Sequence, residues 1–306
     1  MPPRIRSKLA CYPQGLRATR TIYRRGGLPP PAGGRKRRHD GKWLLHGQSY
    51  YQWRVCFNTL ASDRGKDACG GWKRMANLTT PNRQYNVAAP NSLAVRIATG
   101  QRRRMYARFV ADCRITGNDS ILDLGATSDR SYASSNYLEA WHPHKAQITA
   151  AGIDDASFLE AQYPGVKFVY ANGLELPFGD LSFDVVHSSA VLEHVGGSAN
   201  QAVYVAECAR IARKAVFLTT PNRWFPVEFH TLLPLVHWLP KRHFRWLLCR
   251  AGMDFFAEEG NLNLVSRGEL KRLAGRRDDF EFTVSCVAIF GWPSNLLLVG
   301  LRRSRL

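Results

Sequence analysis

Residues 172–194 read NGLELPFGDLSFDVVHSSAVLEH, and the middle of that stretch decides the fold. Phe183-Asp184-Val185-Val186-His187 is a short apolar run, preceded by Gly179-Asp180 and followed by Ser188-Ser189. A run this short, bounded by turn residues, suits a strand covered on both faces of a parallel sheet. Outward in both directions the same unit recurs. Ile121-Leu122-Asp123-Leu124-Gly125 is an apolar strand ending in glycine, and further strands are expected at 148–153, 166–170 and 215–219. Helical stretches are expected at 132–141, 156–162 and 200–212, the last with Val203, Ala206 and Ile211 among its apolar positions. Strands alternating with helices at this spacing imply a parallel sheet with helices on both faces. The end of the chain differs, because strands at 280–290 and 295–301 are joined only by Gly291-Trp292-Pro293-Ser294. So short a connection forces an antiparallel pair, since a parallel crossover needs roughly a dozen residues. The expected class is α/β, a doubly wound sheet of mostly parallel strands with a C-terminal antiparallel hairpin.

Charge separates this unit from what precedes it. The chain has 306 residues with 43 Lys+Arg and 24 Asp+Glu, a net charge of +19. Residues 1–110 hold 23 of the bases and three acids (Asp40, Asp63, Asp67), whereas residues 111–306 hold 20 bases and 21 acids. The basicity therefore belongs to the first third, and the α/β part is electrically balanced. The expected organisation is a basic, Gly/Pro-containing, disordered extension over 1–74, a helical lead-in over 75–118, and the α/β domain over 119–306 with an aromatic and basic insertion at 224–260. Trp43, Tyr50, Tyr51 and Trp53 lie among bases, a pattern compatible with stacking on single-stranded nucleic acid. The alternative is a tail without an evolved role, upstream of a true start near Met75. Residues 92–113 turn helical through Leu93, Ile97, Met105, Phe109 and Val110, and Arg102-Arg103-Arg104 reads as a solvated face of that helix.

Seven cysteines are scattered without a C-x-x-C pair, which argues against a disulfide framework and against a structural zinc site, so no metal is expected. No apolar run reaches the roughly 18 residues of a membrane span, and the N-terminus lacks the apolar centre of a signal peptide. A cytoplasmic location follows, with contact to a membrane surface as the alternative.

In open α/β sheets a ligand sits beyond the carboxyl ends of the strands. Those ends read Asp123 to Asp129, Gly152-Ile153-Asp154-Asp155, Ala171-Asn172-Gly173-Leu174, Ser188-Ser189-Ala190-Val191-Leu192-Glu193-His194, and Thr219-Thr220-Pro221-Asn222. Together these segments resemble the class I S-adenosylmethionine-dependent methyltransferases, in particular the small-molecule branch that includes quinone-biosynthesis methylases. The similarity covers about residues 92–306 and is most specific over 172–194. It implies a Rossmann-like fold, S-adenosylmethionine as cofactor, and methyl transfer by in-line displacement.

By the same resemblance Asp154 takes both ribose hydroxyls, through charge-assisted hydrogen bonds worth roughly 1.5–3 kcal/mol each. Asp155 beside it suits a cap on the following helix equally well. Asp123 is the strand-one acid expected near the methionine end, and Gly125 lets the backbone pass close to the ligand. Asn172 stands where the family usually has the aspartate that meets the adenine amino group. Gly173 and Leu174 follow it, with Leu174 against the ring, and Ser188 is the strand-four contact. The family's acid-x-Gly-x-Gly-x-Gly turn is here Asp123-Leu124-Gly125-Ala126-Thr127-Ser128-Asp129, with one glycine of three, so Ser128 or Asp129 is expected to reach the ammonium in place of backbone groups.

For the acceptor, His194 follows the fourth strand and suits deprotonation of a hydroxyl or, alternatively, a packing role. Glu228 and His230, two apart in a loop after strand five, form a plausible acid–histidine base pair. His187, inside an apolar strand, reads as a core residue. Residues 224–248 bring Trp224, Phe225, Phe229, Trp238, Phe244 and Trp246 together with Lys241, Arg242 and Arg245. They are expected to form an aromatic lid, an interfacial patch that collects a lipid-linked acceptor from an anionic membrane surface, or a small hydrophobic subdomain. A base-methylating Asn/Asp-Pro-Pro-Tyr motif is absent after strand four, so nucleic acid is not expected as a partner of the catalytic part. Residues 1–110 keep that option open, as the arm of an RNA methyltransferase. A further alternative is a catalytically inactive protein that retains the fold for binding.

Overall fold

The computed structural model describes residues 92–275 and 277–303. The expected extension over 1–74, and the lead-in as far as residue 91, lie outside the described residues. The first described element is the helix α1 (Leu93–Asp112), which begins where Ser92 accepts a hydrogen bond from the Val95 N–H at 3.3 Å. Its inward face carries Met105 and Phe109, four apart and therefore on one stripe.

Five parallel strands follow with their helices: β1 (Ile121–Leu124), α2 (Tyr137–Trp141), β2 (Ile148–Gly152), α3 (Phe158–Gln162), β3 (Lys167–Tyr170), β4 (Phe183–Ser189), α4 (Ser198–Ile211) and β5 (Ala212–Pro221). An insertion then holds α5 (Lys241–Arg250) and α6 (Asp254–Ala257), and α7 (Arg267–Ala274) leads to β6 (Phe280–Ile289) and β7 (Trp292–Arg302). The sheet order is β3-β2-β1-β4-β5-β7-β6, with β7 antiparallel to both of its neighbours. The period of two along each strand sorts side chains to two cores. Leu122, Leu124, Val186, Val216 and Leu218 meet α4 and α7, while Ile121, Val185, Ala215 and Phe217 meet α1, α2 and α3. The insertion has a separate small core of Phe244, Leu248, Ala257, Leu262 and Leu264.

Two expectations change. Helices α2 and α3 are five residues each, shorter than the expected stretches 132–141 and 156–162. The C-terminal turn is Phe290-Gly291, with φ of +48° and +81°, and not residues 291–294. Two positive φ values are what a two-residue type I′ hairpin loop requires. Pro293 consequently lies inside β7, beyond the last β5 pairing at Asn295, where its missing N–H interrupts no ladder with β5. A register shift between Val287 and Ala288 frees the Ala288 carbonyl, which accepts from Gln101 Nε2 (3.2 Å) and Arg104 Nη1 (2.8 Å) of α1. The irregular end of the hairpin is thus tied to the first helix.

Candidate active site

One side of the site is built at the ends of β1, β2 and β3. The Gly125 and Ala126 N–H groups both donate to the Ala151 carbonyl (2.7 and 3.0 Å), and the Ala171 N–H donates to Gly152 (2.9 Å). The residues that leave these three strands therefore stay at one sheet edge. Ile153 is 70% exposed there, beside the half-buried Asp154. Asp155 accepts from the Ser157 N–H at 3.0 Å, a local turn that opens α3, and these bonds hold its carboxyl below the usual range. At the end of β3 the Asn172 Oδ1 accepts from the Leu174 N–H at 3.0 Å, and Leu174 packs on the core from a half-buried position.

The glycine-poor turn after β1 is held by side chains. Asn136 accepts from the Thr127 N–H (2.9 Å) and donates to the Thr127 carbonyl (3.0 Å), closing the loop across nine residues. Thr127 Oγ1 accepts from the Asp129 N–H (3.0 Å), and the Asp129 carboxylate accepts from the Ser131 N–H (2.8 Å) and the Ser135 hydroxyl (2.7 Å). The Asp129 carboxylate is therefore engaged within the loop, and Ser128 lies half-buried between the two. Arg102 of α1, read above as part of a solvated face, turns inward and donates to Ser134 at 3.1 Å.

Four of the expected cofactor positions are engaged by the protein itself. Asp123 Oδ1 is 2.5 Å from His187 Nδ1, whose Nε2 is 2.8 Å from the Tyr137 hydroxyl. Burial raises Asp123 to about 7 and lowers His187 to about 4, so both tend to neutrality. Burial and the neighbouring Asp123 also push the Glu139 carboxyl well above its ordinary value. His187 is a core residue as expected, while Asp123 is committed to it. Ser188 is buried and its hydroxyl meets the Tyr204 hydroxyl at 2.7 Å, away from any open edge. A Cβ at Gly173 would stand 2.3 Å from the Tyr204 ring, and one at Gly125 would stand 2.1 Å from Val191 Cγ2. The close approach that these glycines permit is thus to Tyr204 and Val191. Gly125 also needs its freedom because its φ is +106°.

The other side of the site lies after β4 and β5, where all three expected acceptor residues come together. His194 and His230 meet edge to face with ring centroids 4.8 Å apart. His230 Nδ1 is 2.6 Å from Glu228 Oε1, which also accepts the His230 N–H at 2.9 Å. Glu228 Oε2 accepts from the Thr231 N–H at 2.6 Å. Burial works against the Glu228 charge, but the His230 and Thr231 bonds outweigh it and hold the carboxyl down at about 2. Burial likewise works against a charged His230, and Glu228 overcomes it, leaving the imidazole raised. His194 is lowered, chiefly by burial, and its Nδ1 lies 2.7 Å from the Asn261 carbonyl. A tight turn positions Glu228 and His230: Val227 bridges Pro234, the Glu228 N–H bonds to Leu233, and Leu232 takes φ of +58°.

Glu193 completes this group, although only its neighbour His194 was anticipated. Its side chain is fully buried, Oε2 accepts from the Thr220 hydroxyl at 2.8 Å, and Oε1 has no hydrogen-bond partner. The signal was the Glu193-His194 pair at a strand end, where a buried acid beside a histidine is costly unless it faces a partner.

The donor set at the first side fits S-adenosylmethionine. A half-buried acid stands after β2, an exposed isoleucine flanks it, and an amide and a leucine follow β3 at the same edge. Residues 122–219 match the family model described as a methyltransferase domain. Over 81 residues the chain is 38% identical to a probable S-adenosylmethionine-dependent methyltransferase of Mycobacterium tuberculosis strain H37Rv, covering 25% of this chain and 28% of that protein. A probable S-adenosylmethionine-dependent methyltransferase of Mycolicibacterium smegmatis is 45% identical over 81 residues, 25% of this chain and 30% of its own. The chain thus spans less than a third of the length of these curated relatives. Among solved structures, magnesium protoporphyrin IX methyltransferase from Synechocystis aligns at 14% identity over 72% of this chain and 92% of that chain, with a TM-score of 0.45. Residues 122–219 thus resemble a methyltransferase domain, and that match falls on the parallel strands β1 to β5 of the sheet.

Proposed function

We propose that this protein transfers a methyl group from S-adenosylmethionine to a small, lipid-linked acceptor that carries an acidic hydroxyl or a comparable nucleophile. The observation that carries this reading is the meeting of His194, His230 and Glu228 on the acceptor side of the sheet edge that bears Asp154. Asp154, Asn172 and Leu174 would hold the ribose and adenine, with the loop of residues 125–136 toward the methionine end. When bound, the cofactor supplies the sulfonium methyl group. The chain's own contribution is to align an acceptor and take its proton: the Glu228 carboxylate fixes the His230 imidazole through Nδ1 and leaves Nε2 outside that bond.

Calorimetric titration of S-adenosylmethionine into the wild type and Asp154→Ala tests the cofactor side. The substitution is expected to weaken binding by about tenfold to a hundredfold, the equivalent of one or two charge-assisted bonds. Equal affinity in the two proteins would remove Asp154 from the site, and absence of heat in the wild type would remove the cofactor.

The lipid-linked part of the proposal is supported by exposed aromatic surface. Trp224, Trp238 and Trp292 form a cluster with successive ring centroids 6.2 Å apart, and Phe290 at the hairpin tip is 97% exposed. Leu232, Leu235 and Leu239 are exposed on the same insertion as Trp224. Lys241 and Arg245, expected to face head groups, are paired inside the domain with Asn263 and Glu259. Arg242 and Arg250 are exposed instead, the latter stacked 5.7 Å over Trp246. Among the described residues no helix is long and apolar enough to cross a membrane, so contact would be interfacial. Flotation with anionic vesicles is expected to retain the wild type and to lose at least about tenfold of the Phe290→Ser, Trp292→Ser double variant. Equal flotation of both would leave a soluble acceptor.

A further inference from the structure

Glu193, His194 and His230 each offer one ligand atom, and these atoms lie within 4.8 Å of one another. What distinguishes the group from a chance cluster is the direction of its outer bonds. His194 donates Nδ1–H to the Asn261 carbonyl (2.7 Å), which leaves the Nε2 lone pair open; Nε2 is 3.9 Å from Glu193 Oε1. His230 presents Nδ1 to Glu228 (2.6 Å), which leaves its own Nε2 open. Glu193 has one oxygen satisfied by Thr220 (2.8 Å) and the other buried without a partner. An unpartnered carboxylate oxygen in a fully buried side chain is expensive, and two imidazoles oriented by a carbonyl and a carboxylate are how metal-ligating histidines are held.

We propose that Glu193, His194 and His230 bind a divalent transition-metal ion of the zinc class, with Glu228, Asn261 and Thr220 as the groups that orient them. Two imidazoles and one carboxylate suit an open zinc site, which keeps a fourth position for water or a ligand. In a tetrahedral site with bonds of about 2.0 Å the ligand atoms stand about 3.3 Å apart, so loading draws the three side chains together by at most about 1.5 Å. The ligands and their outer groups together come from three places, after β4, within β5 and from the segment after β5, which makes the site a staple between that segment and the sheet. The binding itself needs no cofactor or acceptor. The role that follows rests on the methyl-transfer reading above but replaces His230 as the base in it: with His230 Nε2 on the ion, the metal would bind the acceptor oxygen and lower its pKa, and the proton would pass to solvent.

The test uses the full chain stripped with chelator and titrated with Zn²⁺, with free Zn²⁺ followed by a competing indicator. One tight equivalent is expected, weakened at least about a hundredfold by His194→Gln or His230→Gln and by about tenfold to a hundredfold by Glu228→Gln. X-ray absorption of the zinc-loaded wild type keeps the test independent of variant folding: the expected shell is nitrogen and oxygen at about 2.0–2.1 Å with imidazole scattering and no sulfur. No tight equivalent, a sulfur-containing shell, or unchanged affinity in the His194→Gln, His230→Gln double variant would each overturn the proposal. Zinc bound tightly without S-adenosylmethionine binding would uphold the metal site while the methyl-transfer reading failed.

Discussion

His142 shows how much one side chain commits. It closes α2, lies 3.2 Å from the Tyr106 hydroxyl through Nδ1, and buries Nε2 without a partner. Burial first, then the charges of His144 and Lys145, lower it to about 4. The unfolded chain protonates this histidine near its ordinary value of about 6.5, so the folded state is fully favoured above that pH and loses ground as the pH falls toward 4. The loss is on the order of 2–3 kcal/mol. Thermal melts at pH 7.5 and 5 are expected to separate less for His142→Gln than for the wild type. The placement of Asp154 just beyond β2 was legible from sequence because the residue two past a strand end is fixed by the strand itself. The contact of Ser188 was not, because a strand buried on both faces gives no hint of which face a residue takes, and that of Gly173 was not, because it depends on a helix distant in sequence. Tyr204, sixteen residues beyond Ser188 on α4, occupies both. Glu193 was hidden for a related reason: its partner Thr220 and its neighbour His230 are brought to it by other elements.

At the scale of elements, the loop after β1 and the C-terminal hairpin each depart from the commonest sequence for their geometry. Asn136 makes two buried bonds to Thr127 and stands in for missing glycines. Asn136→Ala leaves a buried N–H and a carbonyl unpaired, which is expected to cost about 2–4 kcal/mol in urea unfolding and to weaken S-adenosylmethionine binding as the loop loosens. In the hairpin, Phe290 holds φ of +48°, a conformation that disfavours a bulky side chain by about 1–2 kcal/mol. Phe290→Asn creates the Asn-Gly pair that such a loop prefers and is expected to raise stability by about 1 kcal/mol while reducing vesicle binding. A strained, exposed phenylalanine is kept where surface contact would repay it. The sheet strands were readable because apolar runs and their spacing survive any rotamer, and Ser92 and Cys113 bracket α1 as its pattern implied. The turn was misplaced because Pro293-Ser294 is a stronger local turn signal than Phe290-Gly291, and pairing across ten residues of ladder overrode it.

For the whole molecule, the order of the strands was visible from sequence only as far as parallel versus antiparallel. Nothing in the local pattern says that β7 inserts between β5 and β6, since that depends on which edge the hairpin meets. The insertion of β7 governs the order in which the protein can be made. While the chain emerges from the ribosome, β5 is complete at Pro221, yet its partner begins only at Trp292. At about 5–20 residues per second, the intervening stretch of roughly seventy residues takes on the order of 4–14 seconds to synthesise. For that interval Val216, Phe217 and Leu218 line an open sheet edge, and β6 has nowhere to dock until its successor arrives. Nascent chains halted at residue 291 are therefore expected to be held by ribosome-associated chaperones or lost to aggregation, whereas chains halted once β7 has cleared the exit tunnel should be released folded.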